Sequence, residues 1–225
     1  MMGKEILDTK TNQDVKENSV SEIASTGLTP TEMKAFWDKE FCKDVPKMSF
    51  EELCCEILWR SEDEFDFDIK PDETTQTALE KFQPNNWEQL DTDEKHDAIK
   101  ELVKCISDLQ GLPDVPEVEF LDDGDNSFGF YSERGNYIAI NENYLEDAKE
   151  IVDTIAHETR HAYQHYRAEL LKEPQDQIYK FNFDHYIAPE YDENGFCVNF
   201  FDYNDQYVEA EARAFASRFS SEVTV

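Results

Sequence analysis

The sequence predicts an α+β protein in which a small, mainly antiparallel sheet packs on helices. The first observation is a change of hydrophobic period along the chain: residues 92–110 have helical spacing, whereas residues 117–141 alternate as strands do. The second is that helical spacing returns from about residue 144 and again near the end. This order of helices, strand, hairpin and two helices is typical of α+β folds. The chain's 225 residues suffice for one sizeable domain with a smaller helical part.

Three units are predicted along the chain. Residues 1–27 are polar and lack apolar periodicity, so we expect a mostly disordered tail. Residues 28–90 form an N-terminal helical segment, in which capping boxes at Thr29/Glu32 and Ser49/Glu52 begin two helices and residues 61–75 form an acidic loop. Residues 91–225 form the third unit, which holds the sheet and every motif that carries chemistry.

Within residues 91–225, local signals place each element. Asp91 and Glu94 begin a helix that Gly111 ends. A strand follows with Val118 and Phe120 on one face, and then a hairpin with strands at 128–131 and 136–141. One long helix is predicted from about residue 144 to 172, followed by an irregular, aromatic stretch at 173–206 and a final helix.

The charge of the chain limits its partners. With 52 acidic and 21 basic side chains, the formal net charge is −31, which repels nucleic acids and anionic lipid surfaces. We expect a basic protein partner. The alternative is that the charge only reflects a host whose proteins are generally acidic. No apolar run approaches the roughly 20 residues that span a bilayer, and the first residues lack the apolar core of a secretory signal. Together with an odd count of five cysteines, this predicts a cytoplasmic protein with reduced thiols.

The segment DTIAHETRHAYQHY, residues 153–166, predicts a metal site. His157 and His161 are four residues apart, so on a helix they differ by about 40° and one turn and can reach one ion. Zn²⁺ binds neutral imidazole nitrogens and lowers the pKa of a bound water towards 7. Glu158 lies about 100° round the helix, from where its carboxylate reaches such a water as a general base. The alternative is a surface helix with fortuitous histidines.

The third ligand must come from another part of the chain. His165 is about 12 Å further along the helix axis than His157, too far to bind the same ion without a helix break. The last helix offers Glu209 and Glu211, which lie about 200° apart, so only one can face the metal. Ala212 and Ala216 stand on the side of Glu209 and favour it, but the spacing leaves both open.

These motifs resemble those of a known group of enzymes. His157-Glu158-x-x-His161 followed by Glu209-x-x-Ala212 is similar to gluzincin metallopeptidases, above all the minigluzincins and ImmA/IrrE-type peptidases. The resemblance implies that His157, His161 and Glu209 bind one zinc ion and that Glu158 is the general base. It also implies a short sheet that packs on the HExxH helix and a C-terminal glutamate helix. The resemblance further implies that the edge strand of that sheet holds the substrate. The segment NYIAIN, residues 136–141, has the position of that strand.

Two features depart from that pattern. Related enzymes carry Asp or Asn four residues after the ligand glutamate to orient the first histidine, but this chain has Arg213. Another carboxylate would have to serve, with Asp202, Asp205 and Glu211 as the candidates. The oxyanion stabiliser is also open, and the candidates are Tyr203, Arg213, Tyr207 and His185, with the first two preferred.

The sequence therefore predicts an intracellular, zinc-dependent endopeptidase that acts on a protein or peptide, and the acidic charge favours a basic substrate. Two alternatives of a different class remain. An acidic inhibitor or DNA-mimic decoy would explain the charge but has no use for the HExxH motif. A degenerate peptidase used as a binding domain would keep the metal but not need Glu158.

Overall fold

The computed structural model describes residues 65, 67, 69–122, 127–193 and 195–224. The predicted tail and the capping boxes at Thr29/Glu32 and Ser49/Glu52 lie outside these residues. The described part has the predicted α+β architecture, with seven α-helices, three strands and two short 3-10 turns. In chain order the elements are α1 (Glu73–Leu79), α2 (Pro84–Trp87), α3 (Thr92–Gln110), β1 (Glu117–Leu121), β2 (Gly129–Ser132), β3 (Tyr137–Asn141), α4 (Ala148–Leu170), α5 (Pro174–Asp184), α6 (Phe200–Asn204) and α7 (Tyr207–Ser220).

Helix α3 is built as its sequence predicts. The Asp91 carboxylate accepts from the Glu94 N–H, and the Glu94 carboxylate accepts from the Asp91 N–H, so the capping box closes in both directions. Gly111 ends the helix with φ 69°, a left-handed conformation that glycine adopts without steric cost. The apolar stripe faces the core and includes the fully buried Ile99, Leu102, Val103 and Ile106.

The sheet is mixed, which corrects the prediction of a mainly antiparallel one. Its strand order is β1-β3-β2: the β2–β3 hairpin is antiparallel as predicted, but β1 and β3 run parallel. The reason is that β1 pairs with β3, the second strand of the hairpin, and not with β2. β3 therefore lies between the other two strands. β2 and β3 contact α4, and β1 contacts α3, so the sheet rests on both long helices.

The strand order also corrects which strand forms the edge. NYIAIN becomes β3, the central strand, and most of its residues are buried. The edge strand beside α4 is β2. Gly129 permits this approach, because a Cβ there would lie 2.4 Å from the Ala139 carbonyl oxygen and 2.9 Å from Thr154 Cγ2.

Helices α4 and α7 pack on each other. The Asp147 side chain caps α4 at the Glu150 N–H, and Leu171 ends the helix with φ 48°. Ala212 and Ala216 of α7 are fully buried, and their small side chains let the two backbones approach closely. Both helices therefore present side chains to the same space.

The stretch 173–206, predicted to be irregular, contains two helices. Pro174 occupies the first turn of α5, and Glu173 and Asp176 form a capping box that the sequence interpretation missed. Ile178, Tyr179 and Phe181 of α5 are buried, so part of the aromatic content of this stretch belongs to the core.

The described residues before α3 contribute to the same hydrophobic core as those after it. Phe67 packs edge-on against Phe215 of α7, and Trp87 donates its indole N–H to the Leu145 carbonyl oxygen over 2.7 Å. In the part of the chain that the structure describes, none of the helices combines the length and apolar character that crossing a bilayer requires.

Candidate metal centre

Three side chains from α4 and α7 converge on one point. His157 and His161 project from successive turns of α4, and Glu209 projects from the first turn of α7. The Nε2 atoms of the two histidines are 3.0 Å apart. Glu209 Oε2 lies 3.3 Å from His157 Nε2, and Glu209 Oε1 lies 3.5 Å from His161 Nε2. All three ligand atoms lie within 4.8 Å of one another.

This donor set fits a zinc ion. Donors about 2.0–2.2 Å from a tetrahedral ion are separated by about 3.3–3.5 Å, close to the separations of 3.0 to 3.5 Å found here. Two histidines and one glutamate are also the composition of catalytic zinc sites, which keep the fourth position open. The resemblance in sequence is matched by a possible metal-binding triad in space.

The electrostatics of the triad favour bound positive charge. Glu209 is only 1% exposed, and although burial opposes its ionisation, the two histidines hold the pKa of its carboxyl well below the usual range. Burial likewise opposes the charged form of His161, but Glu209 outweighs it and raises the pKa of His161 to about 9. A buried carboxylate thus needs a cation beside it, either an imidazolium or a metal ion.

Gln164 sets the tautomer of His161. The side-chain N–H₂ of Gln164 donates to the Val208 carbonyl oxygen at 2.9 Å and to Glu211 Oε2 at 2.6 Å. Its Oε1 atom, 2.8 Å from His161 Nδ1, is therefore the acceptor of a hydrogen on Nδ1. When the ring is neutral, as a metal ligand must be, its lone pair is on Nε2, the atom that faces Glu209. The sequence interpretation missed Gln164, although its place three residues after a ligand histidine is a usable signal.

Glu211 is not part of the triad, which answers the question that the spacing left open. It lies on the side of α7 where Arg160 of α4 is buried, and the two form a two-pronged ion pair. Tyr179 and Gln164 donate to the same carboxylate. Glu211 therefore supports His161 through Gln164, rather than orienting His157 as one prediction suggested.

Glu158 lies beside the triad and is held by the sheet. Its Oε2 atom accepts the backbone N–H of Tyr131, in edge strand β2, at 2.8 Å. Burial raises the pKa of Glu158, and this outweighs the opposing effects of His157 and His161. A carboxylate with a raised pKa is a stronger base, which suits it to accept a proton near neutral pH.

Two tyrosines complete the surroundings of Glu209. Tyr186 donates its hydroxyl to Glu209 Oε1 at 2.6 Å, and the ring of Tyr203 lies edge-on to that of Tyr186. Burial, followed by the charge of Glu209, raises the pKa of both phenols, so both remain hydrogen-bond donors. Tyr186 has no sequence spacing that relates it to the motif, so only the structure reveals it.

The site opens into a cavity of about 650 Å³. Among the predicted residues, Glu158, His161, Glu209 and Tyr203 line it, and Tyr186, Tyr131 and Phe130 do so as well. The three other candidates for the oxyanion role are not among the lining residues: Arg213, Tyr207 and His185. His165 does line the cavity, but it stacks on Phe183 with ring centroids 3.6 Å apart, and burial lowers its pKa to about 4.

The contact between Tyr186 and Glu209 leads to a prediction about metal affinity. Removing the hydroxyl in Tyr186→Phe should weaken zinc binding about 10- to 100-fold, because hydrogen bonds to ligands hold them in the binding geometry. Competition titration against a chelating dye measures the change. Tyr137→Phe, a half-buried tyrosine of β3 that does not line the cavity, is the control. Equal affinity of all three proteins would show that Glu209 does not depend on this contact.

Comparisons of the chain with protein families, with curated proteins and with solved structures give no match. The interpretation of the site therefore depends on its own residues and their geometry. What these show is a possible metal site of His157, His161 and Glu209, with a carboxylate beside it and an open cavity in front of it.

Proposed function

We propose that the chain is a zinc-dependent endopeptidase that hydrolyses peptide bonds of a protein substrate. The observation that carries this proposal is the placement of Glu158. Its carboxylate lies next to three convergent zinc donors and accepts a hydrogen bond from the edge strand that borders the cavity. A site that only stored a metal ion would need neither a basic carboxylate beside the donors nor an extended edge along the opening.

His157, His161 and Glu209 would hold the ion, which supplies Lewis acidity to the scissile carbonyl and lowers the pKa of the attacking water. Glu158 accepts the proton of that water and passes it to the leaving amine. Tyr203 lines the cavity and keeps its phenol proton, so we assign it the hydrogen bond to the developing oxyanion.

Strand β2 would hold the substrate. The Asn141 N–H donates to the Phe128 carbonyl oxygen at 2.9 Å. This bond shows which residues of the hairpin form hydrogen-bonded pairs, because such pairs alternate with non-hydrogen-bonded ones. By that alternation the backbone of Phe130 faces β3, and the backbone of Tyr131 faces away from it. The Tyr131 N–H reaches Glu158, and its carbonyl oxygen is left for an extended peptide that adds to the edge.

The test is zinc-dependent cleavage by the full chain. After chelation and dialysis, one equivalent of zinc should restore hydrolysis of a mixed library of 12-residue peptides, followed by mass spectrometry of the new termini. Glu209→Gln keeps the side-chain volume but removes the charge, so it should lose at least about 100-fold in zinc affinity and show no cleavage. Glu119→Gln, which alters an exposed acid of β1 that does not line the cavity, should behave as wild type.

Two results would count against the proposal in different ways. A chain that binds no zinc at stoichiometric concentration would reject the metal centre itself. A zinc-loaded, folded chain that leaves every peptide intact would keep the metal centre and reject the peptidase.

A further inference from the structure

Exposed apolar side chains are concentrated beside the cavity. In the described part of the chain, eight large hydrophobic residues are exposed, and six of them lie between residues 186 and 201. The most exposed are Phe201 at 76%, Phe196 at 70% and Val198 at 63%. A seventh, Phe130, is on edge strand β2 and lines the cavity. We name the described residues 186–193 and 195–205 the aromatic flap.

The aromatic flap is held by hydrogen bonds rather than by burial of its apolar side chains. An isolated bridge joins Tyr191 to Cys197, and the Val198 N–H donates to the Glu190 carbonyl oxygen at 2.8 Å. The side chain of Gln206 bonds both the N–H and the carbonyl oxygen of Ile187. A segment that is fixed in this way while presenting Phe196 and Phe201 to solvent is typical of a binding surface.

The flap continues the wall of the cavity. Tyr186, Pro189, Tyr191 and Tyr203 belong to the flap and line the cavity. A chain that extends out of the cavity on this side therefore passes over the exposed residues Phe196, Phe200 and Phe201 or close to them. The surface is placed for the same polypeptide that enters the cavity.

The charge of the flap is of one sign. Between Phe181 and Ala212 the sequence has no Lys or Arg, whereas the flap carries Glu190, Asp192, Glu193, Asp202 and Asp205. At the cavity, Lys180 is already paired with Asp184 at 2.7 Å. A polypeptide with negative charge would be repelled here. One with Lys or Arg between apolar residues would be complementary both to the negative charge and to the exposed apolar side chains of the flap.

We propose that the aromatic flap is a substrate-docking surface that selects protein segments with large apolar side chains interspersed with Lys or Arg beside the scissile bond. The proposal deepens, and rests on, the proposed peptidase function. Phe196, Val198, Phe200 and Phe201 contact the apolar side chains of the substrate, and the acidic residues of the flap contact its cations. Selectivity for basic substrates thus comes from this local surface as well as from the net charge.

Three pools of 12-residue peptides test the proposal. The first combines Phe and Leu with Lys and Arg, the second combines Phe and Leu with Asp and Glu, and the third combines Ser, Gly and Asn with Lys and Arg. Binding to the zinc-loaded full chain is measured by fluorescence anisotropy, and cleavage by mass spectrometry. The first pool should bind and be cleaved at least about 10-fold better than either of the others.

Matched variants locate the preference on the flap. Phe196→Ser combined with Phe201→Ser should reduce binding of the first pool about 10-fold and leave the third pool unchanged. Val115→Ser, which alters an exposed residue of the segment before β1, should change neither pool. Glu190→Gln combined with Glu193→Gln should narrow the difference between the first and second pools, and raised salt should do the same.

The outcomes separate the two proposals. Cleavage of all three pools at equal rates, or a preference that survives the Phe196/Phe201 double variant, overturns the docking surface and leaves the peptidase standing. Selective binding of the first pool without cleavage supports the docking surface and overturns the peptidase. Failure of every pool to bind overturns the docking surface.

Discussion

Replacing Glu158 by Gln should reduce peptide hydrolysis by about 10³-fold while zinc binding stays within a few-fold of wild type. The size of the loss follows from the range of about 10²–10⁴ that a positioned acid–base group contributes. Glutamine has nearly the same volume, and its amide oxygen can still accept the Tyr131 N–H that now bonds Glu158. Its amide cannot take up a proton, so the substitution removes the chemistry and keeps the geometry.

Steady-state rates on the best-cleaved peptide, with the zinc content of each preparation measured, give this result directly. Glu169→Gln on the exposed face of α4 controls for loss of negative charge near the cavity. If Glu158→Gln kept more than about a tenth of the rate, Glu158 would not be the proton acceptor. If the chain's biological effect survived the substitution, a binding domain derived from a peptidase would be the better description.

The second large effect concerns stability. Glu211→Ala should lower the free energy of unfolding by about 3–5 kcal/mol, because it leaves the guanidinium of Arg160 buried without its carboxylate. Both side chains are 5% exposed, and Glu211 also accepts from Tyr179 at 2.7 Å and from Gln164 at 2.6 Å. The substitution therefore removes the acceptor of three polar side chains, two on α4 and one on α5.

Urea unfolding of the metal-free proteins measures the change, and Glu169→Ala should change the free energy of unfolding by no more than about 0.5 kcal/mol. The double variant Arg160→Met, Glu211→Leu should recover much of the loss, since replacing both charges removes the unpaired ion. It should not recover zinc affinity, because Gln164 would still lack one of the acceptors that fix its side chain beside His161. A single variant as stable as wild type would mean that solvent reaches Arg160.

Local signals in the sequence were enough for much of the fold and for the core of the site. The capping box at Asp91 and Glu94, the hairpin and the histidine spacing each depend on residues close in sequence, and the structure contains them as predicted. Glu209 could be preferred over Glu211 because Ala212 and Ala216 mark the face on which two helices approach.

The features that the sequence did not reveal depend on contacts between distant residues. Strand alternation is the same for an edge and a central strand, so it could not show that β3 is inserted between β1 and β2. The contact of Tyr186 with Glu209 spans 23 residues and follows no helical or strand period. The sequence prediction assigns the aromatic residues of helix α5 to an irregular stretch, although Pro174 and Asp176 follow the rules for a helix start.

The two alanines between α4 and α7 have a consequence for ion selectivity. Because His157 and His161 stand on one helix and Glu209 on the other, the distance between the nitrogen and oxygen donors depends on the spacing of the two helices. Ala212 and Ala216 have no exposed surface, and their small methyl groups permit a short spacing between the helices. A larger side chain at either position would push the helices apart, and with them the donors, so the site would then suit a cation of larger radius.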